Sequence, residues 1–223
     1  MKNAETPVVK VVLYGAMSSL GSALMAEMLR RQHEVIAILD DLTALAPRPG
    51  LRTKTGDLFD ANRVKQSVAG CSAVICLLEA PGLPMNSEHV EKTIVPGPVE
   101  QVLAVDALID GMQASGIARL FLVGDFEVLD DPEIEDPLQR HAAEEIREAL
   151  QSSTLHWTLV NAPRGVTGLT IEHFSHVSSN LEPGLAEPIE RLSRVAVGIA
   201  DELRLNLHVG EHVTFVATDA IQR

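Results

Sequence analysis

The sequence predicts an α/β protein built on a doubly wound, mostly parallel sheet. Short apolar runs rich in β-branched residues recur along the chain, as expected of strands buried on both faces. Between them lie segments whose apolar residues fall at helical spacing. The 223 residues, 46% of them hydrophobic, suffice for one full-sized core and hardly for two.

Val8 to Tyr14 (VVKVVLY) reads as the first strand, with Lys10 near its start where solvent is still in reach. Gly15 and a serine-rich turn follow, and then a helix from Leu20 to Arg31 with Leu20, Leu24 and Met28 on its inner face. Val35 to Leu39 is the second strand, so the first βαβ unit is complete within about thirty residues. Leu51 to Thr55 is a short strand. Asp60 to Ala69 is a helix with Asp60 as N-cap. Ala73 to Leu78 (AVICLL) is a strongly apolar strand, and Pro81 to Pro98, with four prolines, reads as a long loop. Val99 to Ser115 is helical and stops at Gly116. Leu120 to Val123 is a strand, Asp125 to Pro137 an acidic loop, Leu138 to Leu150 a helix and Leu155 to Val160 a strand. Gly165 to Pro188 is irregular, Arg191 to Leu203 a helix and His212 to Ala217 a last strand. No repeat or linker divides the chain. It is expected to form a single domain over residues 1–223, with 164–190 as a covering segment on the substrate side.

Composition excludes several functions. A formal charge of −13 repels phosphate backbones and anionic bilayers, and 3% aromatics cannot build a base-stacking platform. No nucleic-acid or membrane partner is therefore expected. Cys71 and Cys76 are too few for a disulfide framework and read as small apolar residues. No apolar run reaches bilayer length, and MKNAETP lacks the apolar core of a secretory leader, so a cytoplasmic protein is expected.

The turn after the first strand carries the functional signal. It reads Gly15-Ala16-Met17-Ser18-Ser19-Leu20-Gly21. A helix N-terminus at the carboxyl end of a parallel strand offers unpaired N–H groups and partial positive charge to a pyrophosphate. Gly15 suits the tight turn, and Gly21 suits close packing of helix on strand. Ser18 stands where many such sites have a middle glycine, and its Cβ is expected to crowd the pyrophosphate. Ser18, Ser19 and Ser22 either donate hydroxyl hydrogen bonds to that group or merely cap the helix. Asp40 closes the second strand, 19 residues after Gly21. A carboxylate there suits the ribose hydroxyls of NAD, and with Asp41 it would repel the extra phosphate of NADP. Asp57 begins a loop placed to pass the adenine.

With GDLFD, AGCSAVICLLEAPG and LHWTLVNAP, these segments resemble the atypical short-chain dehydrogenase/reductases. The branch is the NAD(P)H-binding group of NmrA-like proteins and small flavin and biliverdin-IXβ reductases. The resemblance covers most of residues 8–163 and continues more weakly to Val216. It implies an NAD(P)-binding Rossmann fold with three αβα layers. It places Gly15, Met17, Ser18, Ser19, Leu20 and Gly21 in the phosphate loop, Asp40 where relatives often have arginine, and Asp57 and Leu58 beside the adenine. Leu77, Leu78, Glu79 and Ala80 would line the nicotinamide ribose. Gly124 would end the strand that supplies an active-site hydroxyl, here followed by Asp125. Asn161, Ala162 and Pro163 would flank the nicotinamide.

The family's usual acid/base pair, a tyrosine with a lysine four residues on, is missing. The only tyrosine is Tyr14, in the first strand, and no lysine follows Lys92. Carbonyl reduction by that mechanism is excluded. Hydride transfer to a flavin or other conjugated acceptor needs only a bound cofactor and a proton from water. Asp125 and Glu145 are the candidate catalytic acids, the only ones worth testing. The seven carboxylates between Asp125 and Asp136 point either to a neutral or cationic acceptor rather than FMN, or simply to a solvated loop. His141 with Glu144 and Glu145 reads as a polar helix face or a proton donor. His173 and His176 lack a third ligand, so no metal is expected. No G-x-S-x-G elbow supports a hydrolase.

Two functions from different classes follow. One is an NAD(H)-dependent reductase of a small-molecule acceptor (a flavin or quinone). The other is a non-catalytic, NmrA-like dinucleotide sensor. An epimerase using NAD transiently would need the missing pair. A homodimer suits the class.

Overall fold

The computed structural model describes residues 8–80, 83, 95–163, 166–175 and 184–215. Seven parallel strands form one sheet in the order β3-β2-β1-β4-β5-β6-β7. They are β1 (Lys10–Tyr14), β2 (Glu34–Ile38), β3 (Leu51–Lys54), β4 (Ala73–Leu77), β5 (Arg119–Gly124), β6 (His156–Asn161) and β7 (Glu211–Val213). Chain order reverses between β1 and β4, which opens a crevice at their carboxyl ends, the switch point where such sheets bind ligands.

The helices are α1 (Ser19–Arg30), α2 (Ala61–Val68), α3 (Pro98–Ser115), α4 (Glu127–Asp130), α5 (Pro137–Ser152), α6 (Ile171–Ser175) and α7 (Ala186–Leu205). α1, α6 and α7 pack together in one layer, and α2, α3 and α5 in the other, giving the three-layer Rossmann arrangement.

Central strands are buried on both faces, which is why Val11–Tyr14, Ala73–Leu77 and Leu120–Val123 read as continuous apolar runs rather than alternating ones. Lys10 interrupts its run where β1 begins, opposite Glu34 in register and 3.9 Å from its carboxylate. Asp60 caps α2 by accepting from the amides of Asn62 and Arg63, and Gly116 ends α3 in the left-handed region at φ 72°.

The structure revises several boundaries. The acidic stretch after β5 contains the one-turn α4, and the covering segment contains the short α6. α7 runs 20 residues from Ala186, not from Arg191. Pro188 reads as a breaker but sits in the first turn, where its missing N–H costs no helical bond. β7 stops at Val213, and the remainder of the expected last strand lies partly outside the described residues. So do most of the Pro81–Pro98 loop and His176.

Candidate active site

Both glycines of the first turn answer to close packing. Gly15 has φ +86°, and a Cβ on it would meet the Cβ atoms of Ala80 at 2.6 Å and Leu77 at 2.8 Å. A Cβ on Gly21 would lie 2.2 Å from the Gly15 carbonyl oxygen. α1 can therefore begin directly against β1 and the end of β4 only with glycine at both places.

Ser18 is different. Its φ of −75° and ψ of 163° are extended backbone open to any residue, so the turn does not need glycine there. Its hydroxyl donates to the Gly15 carbonyl at 2.8 Å and accepts from the Gly21 amide at 2.9 Å, making it the N-cap of α1. The capping role outlined from sequence is what the structure shows, and the crowding expected of the side chain has its hydroxyl turned inward. Ser19 Oγ accepts from the Leu169 amide at 3.0 Å, which ties the covering segment to the turn. Among the described residues no acceptor meets the amides of Ser19 and Leu20, the first two of α1. Those two donors and the helix dipole fit a diphosphate.

A cleft of about 290 Å³ opens over this turn. Met17, Ser18, Ser19 and Leu20 form one wall, Leu77, Glu79, Ala80 and Val123 the floor, and Ala162 and Pro163 the far end. Val166, Thr167 and Gly168 also line it. Glu79 Oε1 accepts from the Asp125 amide at 2.9 Å, so the ends of β4 and β5 are laced together beneath the cleft.

The remaining predicted residues fall into two groups. Asp40 is exposed just past β2 on the cleft side of the sheet. Asp41 accepts from the amide and hydroxyl of Thr43, which holds its carboxyl below the usual range. Asp57 is buried and accepts from the Phe59 amide at 2.9 Å. Leu58 and Leu78 are closed off in the core, so their side chains offer no surface to a ligand. Gly124 ends β5, with the Phe126 ring packed against it. Glu145 lies on the exposed outer face of α5, 4.0 Å from His141, and lines neither this cleft nor the cavity beyond it. Asp125 follows β5, its carbonyl accepting from Gln139 Nε2 at 3.0 Å.

A second cavity, about 370 Å³, adjoins the cleft across Ala162 and Pro163. Val195 and Phe215 give it apolar walls, Thr214 and Asn161 a polar corner, and Glu127, Glu187, Glu190, Arg191 and Arg194 a rim of both charges. Asn161 is the hub of that corner. Its Oδ1 accepts from the Phe126 amide at 3.2 Å and lies 3.0 Å from His212 Nε2. Its Nδ2 donates to Thr214 Oγ1 at 2.6 Å and to Asp130 Oδ2 at 3.3 Å. His212 Nδ1 stands 3.2 Å from Asp130 Oδ1. Burial lowers the imidazole pKa, against the pull of Asp130. Sequence reasoning missed Asp130, His212 and Thr214 as site residues. They lie 31, 51 and 53 residues from Asn161; the β6–β7 pairing brings His212 and Thr214 to it, and the β5–β6 pairing brings α4 with Asp130.

A family model described as NAD(P)H-binding matches residues 15–191, from the first turn into α7. The chain belongs to this NAD(P)H-binding family. Solved structures share the fold at low identity. A protein from Burkholderia pseudomallei aligns with a TM-score of 0.63 at 20% identity, over 93% of this chain and 98% of its own. The Bordetella bronchiseptica enzyme WbmH, solved with NAD+, aligns at 0.60 and 15%, over 95% and 76%. A Veillonella parvula short-chain dehydrogenase/reductase of the wide type, solved with NADP, aligns at 0.60 and 11%, over 95% and 96%. No curated protein matches the chain significantly. Among the described residues no helix is long and apolar enough to cross a membrane.

Proposed function

We propose that this member of the NAD(P)H-binding family is an NAD(H)-dependent reductase of a flavin, quinone or similar conjugated acceptor. The observation that carries the reading is the adjacency of two cavities sharing Ala162 and Pro163, one of them over the diphosphate-compatible turn. When bound, the cofactor supplies a hydride at its nicotinamide. The amides of Ser19 and Leu20 hold the diphosphate, and Asp40 holds the adenosine ribose through its hydroxyls, which favours NAD over NADP. Leu77, Ala80, Ala162 and Pro163 orient the nicotinamide end, and the Val166–Gly168 strap excludes water from it.

No tyrosine–lysine pair exists to protonate a carbonyl product, so the reading takes the proton from water and restricts the acceptor to conjugated systems. The test is calorimetric binding of NADH and NADPH, followed by NADH oxidation with a panel of quinones and flavins. Tighter binding of NADH with turnover of at least one acceptor is expected. Binding without turnover would favour the non-catalytic dinucleotide sensor, a reading supported by the missing pair. No binding at millimolar dinucleotide would overturn both.

A further inference from the structure

The polar corner of the second cavity has a hydrogen-bond logic of its own. A backbone amide can only donate, so the Phe126 N–H fixes which atom of the Asn161 amide is oxygen. That oxygen and the Asp130 carboxylate are both acceptors, and they face the two ring nitrogens of His212. The ring satisfies both only as the doubly protonated imidazolium. Asn161 Nδ2 spends its hydrogens on Asp130 and on Thr214, so Thr214 Oγ1 accepts and its own hydrogen is left to donate. Thr214 is exposed, lines the cavity and directly follows β7. Among the described residues β7 is a three-residue edge strand paired only with β6. Beside that backbone pairing, the His212 side chain adds a contact to Asn161, one residue past the paired stretch of β6.

We propose that the Thr214 hydroxyl donates to a carbonyl oxygen of the acceptor in the second cavity, and that His212, with Asp130, is the positioning residue that sets it there. The inference deepens the reductase reading and rests on it for the role of the cavity. The class of ligand follows from the walls. Ala162, Pro163, Val195 and Phe215 suit a flat apolar body, and one neutral O–H donor suits a carbonyl rather than an ammonium group. A quinone has both features. The charged groups facing His212 are Asp130 from α4 and Arg147 from α5, while β6 presents the neutral Asn161. The Phe126 ring meets the imidazole edge-on at 6.1 Å. Losing the second ring proton turns one nitrogen lone pair toward an acceptor oxygen and breaks that one contact of the polar corner, so carbonyl binding weakens as pH rises through the ring's titration.

The test uses the full chain and needs no turnover. Ring ¹⁵N spectra are recorded over about pH 5 to 8, the range in which histidine titrates. Menadione, a naphthoquinone, is titrated by calorimetry on either side of the midpoint found, with wild type, Thr214→Val and His212→Gln. Two ring N–H protons on the acid side are expected, with menadione held about three- to tenfold tighter there, the worth of one neutral hydrogen bond. Thr214→Val should lose that factor and His212→Gln should lose its pH dependence, both keeping the wild-type affinity for NAD+. Absence of menadione binding, equal affinity in wild type and Thr214→Val, or a single neutral tautomer throughout would each overturn the proposal. Failure of NADH to bind, or of bound menadione to be reduced, would instead overturn the reductase reading and leave these measurements standing.

Discussion

Replacing Ser18 by alanine isolates the question on which cofactor binding turns. The hydroxyl makes two partly buried hydrogen bonds, at 2.8 Å to the Gly15 carbonyl and 2.9 Å from the Gly21 amide. An N-cap of this kind is worth about 0.5–2 kcal/mol, and the second bond adds about 0.5–1.5 kcal/mol. A loss of roughly 1–2 kcal/mol is expected for Ser18→Ala, or about 2–8 °C in Tm for a chain of this size. Ser18→Gly restores access to capping water and should cost only a few tenths of a kcal/mol in the cap, plus backbone entropy of about 0.5–1 kcal/mol. Both variants should hold NADH within about threefold of wild type, because the side chain points its oxygen into the turn rather than at the phosphate site. Thermal melts and NADH calorimetry on the same samples decide the matter. A glycine variant that binds NADH tenfold tighter would show that the Cβ obstructs the diphosphate, and the reasoning would fail.

Three further outcomes follow from the same geometry. Gly21→Ala puts a methyl 2.2 Å from a backbone oxygen, so α1 must move; soluble protein should be lost, or NADH binding should fall at least tenfold by calorimetry. Arg119→Ala removes the guanidinium that meets the buried Glu202 carboxylate at 3.4 Å and leaves that carboxylate to the amide and ring of His208; it should cost about 1–3 kcal/mol by urea unfolding. Burial lowers the pKa of His33 and of His212 below the usual 6.5. The unfolded chain therefore binds more protons than the folded one just below pH 6.5, and stability should fall as pH drops from 6.5 toward the folded values and level off beneath them. Urea midpoints across that window should show the slope, and His33→Gln with His212→Gln should flatten it.

Most of the sheet was legible because a strand buried on both faces leaves a short apolar run, and β-branched residues with flanking turn signals separate it from a buried helix segment. Val11 to Tyr14 and Ala73 to Leu77 are such runs, and both became central strands. The short helices α4 and α6 left no trace in periodicity, since four or five residues span little more than one turn. At the site, Gly15 and Gly21 were legible because a tight β-turn-helix has few sequence solutions. Leu78 stands between Leu77 and Glu79, which line the cleft, but its own side chain, like that of Leu58, is buried in the core. The Asn161–His212–Asp130 corner was not legible. Its members come from β6, β7 and α4, and register across a sheet is not written in local spacing.

The same placement changes the electrostatic argument about the acceptor. Read along the chain, Asp125 to Asp136 is a block of negative charge at the mouth of the crevice. In three dimensions much of that block is spent locally. Asp136 caps α5, Asp131 Oδ1 accepts from the Glu133 amide at 2.8 Å, and Asp130 is held by Asn161 and His212. Arg140 lies under the loop and donates to the carbonyls of Val128, Asp131 and Ile134, bringing positive charge into the block from α5. On the cavity's other side α7 presents Arg191 and Arg194, each paired with a glutamate one turn back. Charges that alternate within a few ångströms cancel over the dimensions of a ligand, and exposed pairs of this kind carry little net field beyond a Debye length of about 8 Å. The carboxylate count of the loop is thus a poor guide to what the cavity admits. On the proposed reading, discrimination falls instead to the contacts an acceptor would make inside it: the apolar walls of Val195 and Phe215, and the hydroxyl of Thr214.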